Sequence, residues 1–142
     1  MKIAVAGTGY VGLVTGVCLS EHGHEVTCVD VDENKVKMME SGKSPIYEPG
    51  LEELMVKNMD HLYFTTDYKK AYVDADVIII AVGTPEKRDG SANLAYVFGV
   101  ASQIAASISK ECVVIVKSTV PIGTNDEVER LLNENPLELR VH

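Results

Sequence analysis

The run GTGYVG places glycines at positions 7, 9 and 12, and an aspartate, Asp30, follows 18 residues after the last of them. Bare backbone beside a fan of helix amides suits a diphosphate, and a carboxylate at that remove can accept ribose hydroxyls. The chemistry open to these residues is to hold a dinucleotide. Gly7 allows the tight turn, Gly9 lets a diphosphate approach the main chain, and Gly12 lets the next helix pack closely on its sheet. The amides of Tyr10 and Val11 then point at the phosphates with the helix dipole behind them. Asp30 would repel a phosphate on the ribose, so NAD is expected as cofactor rather than NADP. A solvated strand end is the other reading of Asp30. Asp32 is the rival acid, but a helix cap accounts for it. Lys35, one turn further on, is either a contact to the adenosine ribose or a solvated lysine.

These residues need a strand before the glycines, a helix after them and a second strand ending at Asp30. The pattern supplies all three. Apolar runs recur at 2–7, 24–30, 61–66, 76–82 and 112–118. Between the first two, YVGLVTGVCLSEH has helical spacing and is closed by Gly23. A second helix is predicted over 32–42, with Asp32 as N-cap and Gly42 as stop. Residues 94–108 put Leu94, Phe98, Ala101, Ile104, Ala105 and Ile108 on one helical face. Thr124 and Glu127 read as a capping box for a last helix carrying Val128, Leu131 and Leu132, with Pro136 at its end. Strands alternating with helices call for an α/β domain over residues 1–142, a Rossmann-type doubly wound, mostly parallel sheet with helices on both faces. The irregular stretches GKSPIYEPG (42–50) and GTPEKRDGSAN (83–93) are candidates for ligand-bordering loops, or plain surface connections.

Composition narrows the partners. The chain has 142 residues, 46% of them hydrophobic, and a net charge of −8 without a basic run. Nucleic acid is not expected as a partner, since phosphate neutralisation needs clustered Lys and Arg. The longest apolar runs are strand-sized, so no membrane association is expected, and neither is a signal peptide. Three cysteines without close spacing fit a reducing cytoplasm, with Cys18, Cys28 and Cys112 read as buried small hydrophobes. The four histidines form no ligand cluster, so no metal site is expected.

Four motifs in order, GTGYVGLVTGVCLSEHGHEVTCVDVD, GKSPIYEPGLEEL, AVGTPEKRDGS and KSTVPIGT, resemble the N-terminal domain of the nucleotide-sugar 6-dehydrogenases, the UDP-glucose members above all. One departure is SANLAYV, where that family more usually has Asp-Leu-Ser-Tyr; Asn93 can still cap the helix there. The resemblance implies a four-electron oxidation of UDP-glucose to UDP-glucuronate with two NAD, in the nucleotide-sugar metabolism that feeds polysaccharide biosynthesis, and a homodimeric parent. It carries cofactor contacts to Val11, Asp30, Lys35, Thr84 and Thr119. By the same resemblance, the turn Gly83, Thr84, Pro85 exposes backbone and hydroxyl to the cofactor. Ser118 and Thr119 then stand at the nicotinamide half of the crevice, with Thr119 helping to hold a water near the reacting carbon. Lys117 is expected to be structural, its charge paired at the strand end.

The resemblance also implies a longer parent, whose reactive cysteine and UDP-sugar contacts lie beyond this domain. None of the three cysteines here is expected to substitute. Cys112 begins its strand, on the order of 20 Å from the carboxyl-end crevice. Cys18 lies about 10 Å down the first helix, and Cys28 is inside a strand. No catalytic residue is therefore assigned to this chain, which is expected to bind NAD without turnover. Its 112–118 strand is expected to be a bare sheet edge that tends to pair with another chain. Two alternatives stay open: a freestanding NAD-sensing module, or the same domain of a GDP-mannose or UDP-N-acetylhexosamine dehydrogenase.

Overall fold

A computed structural model describes residues 1–91, 93–118 and 120–133, and the backbone of 140–141. In chain order its elements are β1 (Lys2–Ala6), α1 (Tyr10–Glu21), β2 (Glu25–Val29), α2 (Glu33–Glu40), α3 (Leu51–Lys57), β3 (Leu62–Thr65), α4 (Tyr68–Tyr72), β4 (Val77–Ile80), α5 (Ala95–Ser107), β5 (Val113–Val116), α6 (Thr124–Leu132) and β6 (Arg140–Val141). The six strands pair in the order β3-β2-β1-β4-β5-β6, every pair parallel. The order reverses between β1 and β4, which opens a crevice at their carboxyl ends.

Alternation along each strand builds two cores. Ile3 and Val5 of β1, with Val26, Cys28 and Ile79, face α1, α2 and α3 through Leu13, Val17, Val36, Met39, Leu51 and Met55. Ala4 and Ala6, with Val29, Ile78 and Ile80, face α4, α5 and α6 through Tyr72, Val97, Ala101, Ile104, Val128 and Leu132. Burying each of these larger side chains contributes about 2 kcal/mol. The small alanines on the second face leave room for the Tyr72 ring, which is 1% exposed and lies 6.0 Å from the Tyr68 ring.

Register fixes the site. Ala6 stands level with Val29 and with Ile80, and Ile80 with Val116, so four chains leave the sheet along one row. Gly7 donates its amide to the Val29 carbonyl at 2.9 Å, and Ala81 donates to the Ala6 carbonyl at 2.8 Å. The turns after β1, β2, β4 and β5 are thereby brought side by side.

Several expectations are corrected at this level. The 112–118 strand is not a bare edge: Arg140 and Val141 pair with Val113 and Val114 as the start of a sixth strand. The Thr124 capping box does not form. Gly123, at φ 93°, is the N-cap, Thr124 is buried inside the helix, and Glu127 pairs with Arg130 at 2.5 Å. The buried face of α5 includes Val97 and Val100, rotated from the predicted Leu94 and Phe98. Cys18 is exposed, whereas Cys28 and Cys112 are buried as expected. The short helices α3 and α4 were not predicted. Pro136, expected to end the last helix, lies outside the described residues, although α6 has already stopped at Leu132.

Candidate functional site

The glycine turn has the geometry its spacing implies. Gly7 sits at φ +102°, and a Cβ there would fall 2.7 Å from the Ala81 carbonyl oxygen. At Gly12 a Cβ would fall 2.0 Å from the Gly7 carbonyl oxygen, so the first turn of α1 rests directly on the loop before it. Gly9 is the opposite case, because a Cβ there would meet nothing within 4 Å. The space beside it is open, on the side where the amides of α1 emerge. No side chain caps this helix and no acid stands in its first turn. By contrast, α2 and α4 are capped by Asp32 and Asp67, and the first turns of α3 and α6 carry acids. The positive end of α1 is therefore free to receive an anion.

Asp30 is a built carboxylate, its side chain 12% exposed. Its Oδ2 accepts from the Thr8 hydroxyl and lies 3.8 Å from Lys35 Nζ, while its Oδ1 accepts from the Asp32 amide at 2.9 Å. Burial alone would raise its pKa. The Thr8 hydroxyl, the Asp32 amide and the Lys35 charge together outweigh burial and hold it below the usual aspartate value. Asp32 accepts from the amides of Asn34 and Lys35 as a helix cap, which removes it as a rival. Thr8, 1% exposed, ties the phosphate-side turn to the acid. Sequence reasoning passed over it, because the residue between two fingerprint glycines carries no pattern of its own.

A cleft of about 690 Å³ runs across these groups. Gly7, Gly9, Tyr10, Val11, Asp30 and Lys35 line it on one side, and Gly83, Thr84 and Ser118 on the other. Gly12 acts from behind, through packing, and Pro85 stands off the cleft, its carbonyl accepting the Asn93 amide at 2.7 Å. Asn93 Oδ1 accepts the Ala95 amide at 3.0 Å, so the departure at SANLAYV keeps its cap. The Ser118 hydroxyl donates to the Val82 carbonyl at 2.8 Å, which pins the β5 exit to the β4 exit. Thr119 lies outside the described residues. Lys117 also lines the cleft, and its expected pairing is not found: among the described residues no carboxylate contacts its ammonium. Of the two irregular loops only 83–93 reaches the cleft, since no residue of 42–50 lines it. Tyr72, Tyr96, Val100 and Gln103 line it as well. They come from α4 and α5, far along the chain from the glycines, so no local spacing announces them.

The glycine turn, the open α1 terminus and Asp30 on one sheet edge fit a dinucleotide. The model of one family covers nearly all of the chain: the UDP-glucose/GDP-mannose dehydrogenase family, NAD binding domain, matches residues 1–141. The chain belongs to that family. NAD is the cofactor of this dehydrogenase-family domain. The chain is 55% identical over 140 residues to UDP-glucose 6-dehydrogenase YwqF of Bacillus subtilis, covering 97% of this chain and 32% of that protein. It is 46% identical over 133 residues to GDP-mannose 6-dehydrogenase of Pseudomonas aeruginosa, covering 90% of this chain and 30% of that protein. Among solved structures, a ternary complex of GDP-mannose dehydrogenase from Pseudomonas aeruginosa superposes with a TM-score of 0.94 at 41% identity, over 99% of this chain and 35% of the other. The chain thus spans about a third of the length of the dehydrogenases it matches.

Proposed function

We propose that this domain holds NAD for the oxidation of UDP-glucose to UDP-glucuronate by a dehydrogenase of this family. The observation that carries the reading is the uncapped, acid-free start of α1 beside open space at Gly9, with Asp30 fixed on the same sheet edge. The amides of Tyr10 and Val11 bind the diphosphate. Asp30 accepts the adenosine ribose hydroxyls, and Lys35 balances its charge. Gly83 and Thr84, with Ser118 across from them, border the nicotinamide half, and Thr119 follows at its rim. When bound, NAD supplies the hydride acceptor. UDP-glucose is favoured over GDP-mannose as the substrate because the identity to the UDP-glucose relative is the higher of the two.

The chain as given binds NAD but does not carry out the oxidation alone. No cysteine lines the cleft. Burial pushes the Cys28 thiol up to about 12, and it raises that of Cys112 although Lys110 pulls the other way. Cys18 lies eight residues into α1, about 12 Å from the end that faces the cleft. Incubating the protein with NAD and UDP-glucose is expected to give no sustained rise in reduced-nicotinamide absorbance, while calorimetry detects NAD binding. A steady rate proportional to protein concentration would overturn the claim that catalysis needs more than this chain.

A further inference from the structure

The cleft extends past Asp30 into a slot between α4 and α5, and its walls change character there. Along α5 the lining residues Tyr96, Gly99, Val100 and Gln103 follow helical spacing and run about 10 Å inward. Gly99 offers bare backbone, where a Cβ would meet nothing within 4 Å, and Val100 offers an apolar surface. Such a wall suits a flat aromatic ring. Two polar groups stand in this otherwise apolar end. Tyr72 is 1% exposed, and its hydroxyl makes no hydrogen bond among the described residues. The Gln103 side-chain amide likewise has no partner among them, only its main-chain carbonyl being engaged, by the Ser107 hydroxyl. A buried hydroxyl left without a partner is costly, and native proteins keep few such groups.

We propose that Tyr72 and Gln103 read the adenine base of the dinucleotide. The inference rests on the placement of NAD given above, which puts the adenosine ribose at Asp30 and so directs its base into this slot. Adenine presents a 6-amino donor beside the N7 acceptor, and a primary amide matches both at once. The Gln103 carbonyl oxygen accepts from the 6-amino group and its NH2 donates to N7. The Tyr72 hydroxyl donates to a second ring nitrogen. Burial raises the Tyr72 phenol above its ordinary value, so it stays a donor throughout the working range of pH. A hypoxanthine base carries a carbonyl in place of the amino group and offers two adjacent acceptors, which one amide cannot satisfy together.

The test is calorimetric titration of wild type, Tyr72→Phe and Gln103→Leu with NAD and with nicotinamide hypoxanthine dinucleotide, alongside thermal unfolding of each free protein. Wild type is expected to prefer NAD by about tenfold, Gln103→Leu to bind the two within about twofold, and Tyr72→Phe to lose about fivefold in NAD affinity. Removing the unpartnered hydroxyl is expected to raise the melting temperature of free Tyr72→Phe by about 3 °C, the reverse of what loss of a packing role would do. Equal binding of both dinucleotides by wild type, or discrimination that survives in Gln103→Leu, overturns the base-reading role and leaves the NAD site standing. A Tyr72→Phe variant that binds NAD like wild type, or melts lower, removes Tyr72 from it. Failure of wild type to bind either dinucleotide overturns the NAD placement itself, and this inference with it.

Discussion

Asp30→Ala is expected to bind NAD roughly 30-fold more weakly than wild type, about 2 kcal/mol, and to bring NADP to within about threefold of NAD. Both effects follow from one carboxylate. Two ribose hydroxyls lose a charged acceptor, and the extra phosphate of NADP loses the anion that repels it. Asp30 already engages Thr8, the Asp32 amide and Lys35, so alanine also frees those groups. Asp30→Asn separates the causes, because it keeps an acceptor for Thr8 and removes the charge. It should recover NADP binding with a smaller loss for NAD. Calorimetry with both cofactors on the three proteins decides it, and unchanged selectivity in both variants would take Asp30 out of the site.

The pH dependence follows with a definite sign. A carboxyl whose folded pKa is depressed contributes stability and binding above its unfolded value and loses them as pH falls through the folded one. For Asp30 that window lies below the ordinary aspartate value of 3.8. No described histidine lines the cleft. NAD affinity is therefore expected to be flat between about pH 5 and pH 8.

The second large effect separates two glycines five positions apart in role though only three in sequence. Gly12→Ala drives a Cβ to 2.0 Å from the Gly7 carbonyl oxygen, a backbone atom that cannot swing aside. The clash costs about 3 kcal/mol or more, which lowers the melting temperature by about 10 °C. Gly9→Ala meets nothing within 4 Å, and Gly9 has an ordinary φ of −70°. Its melting temperature should stay within about 2 °C of wild type, while NAD affinity falls about 100-fold because the methyl occupies the diphosphate's space. Unfolding curves and titrations on the pair test this together. A Gly9→Ala protein that binds NAD normally would show that the open space serves no ligand.

The parts of this molecule that local chemistry dictates are legible in its sequence. Five of the six strands are apolar runs, and Gly7, Gly12, Gly23, Gly42 and Asp32 sit at turns and caps where their own backbone or side chain sets the conformation. Family resemblance added Thr84 and Ser118, which reach the cleft, and Pro85, which does not. What stayed hidden depends on elements meeting in space. The helices α3 and α4 are seven and five residues long, too short for a periodic signal. The capping box at Thr124 failed because Gly123, in a left-handed conformation, took the cap position. Thr8, Tyr72 and Gln103 enter the cleft only because the β-strand register and the α5 packing bring them there. Lys117 keeps its charge at the cleft for the same reason, with no described carboxylate beside it.

A crystal of this protein grown or soaked with NAD tests the central claim most directly. The account predicts diphosphate oxygens about 3 Å from the amides of Tyr10 and Val11, with both adenosine ribose hydroxyls on the Asp30 carboxylate. A diphosphate bound away from the start of α1, or an adenosine directed away from Asp30, would contradict it.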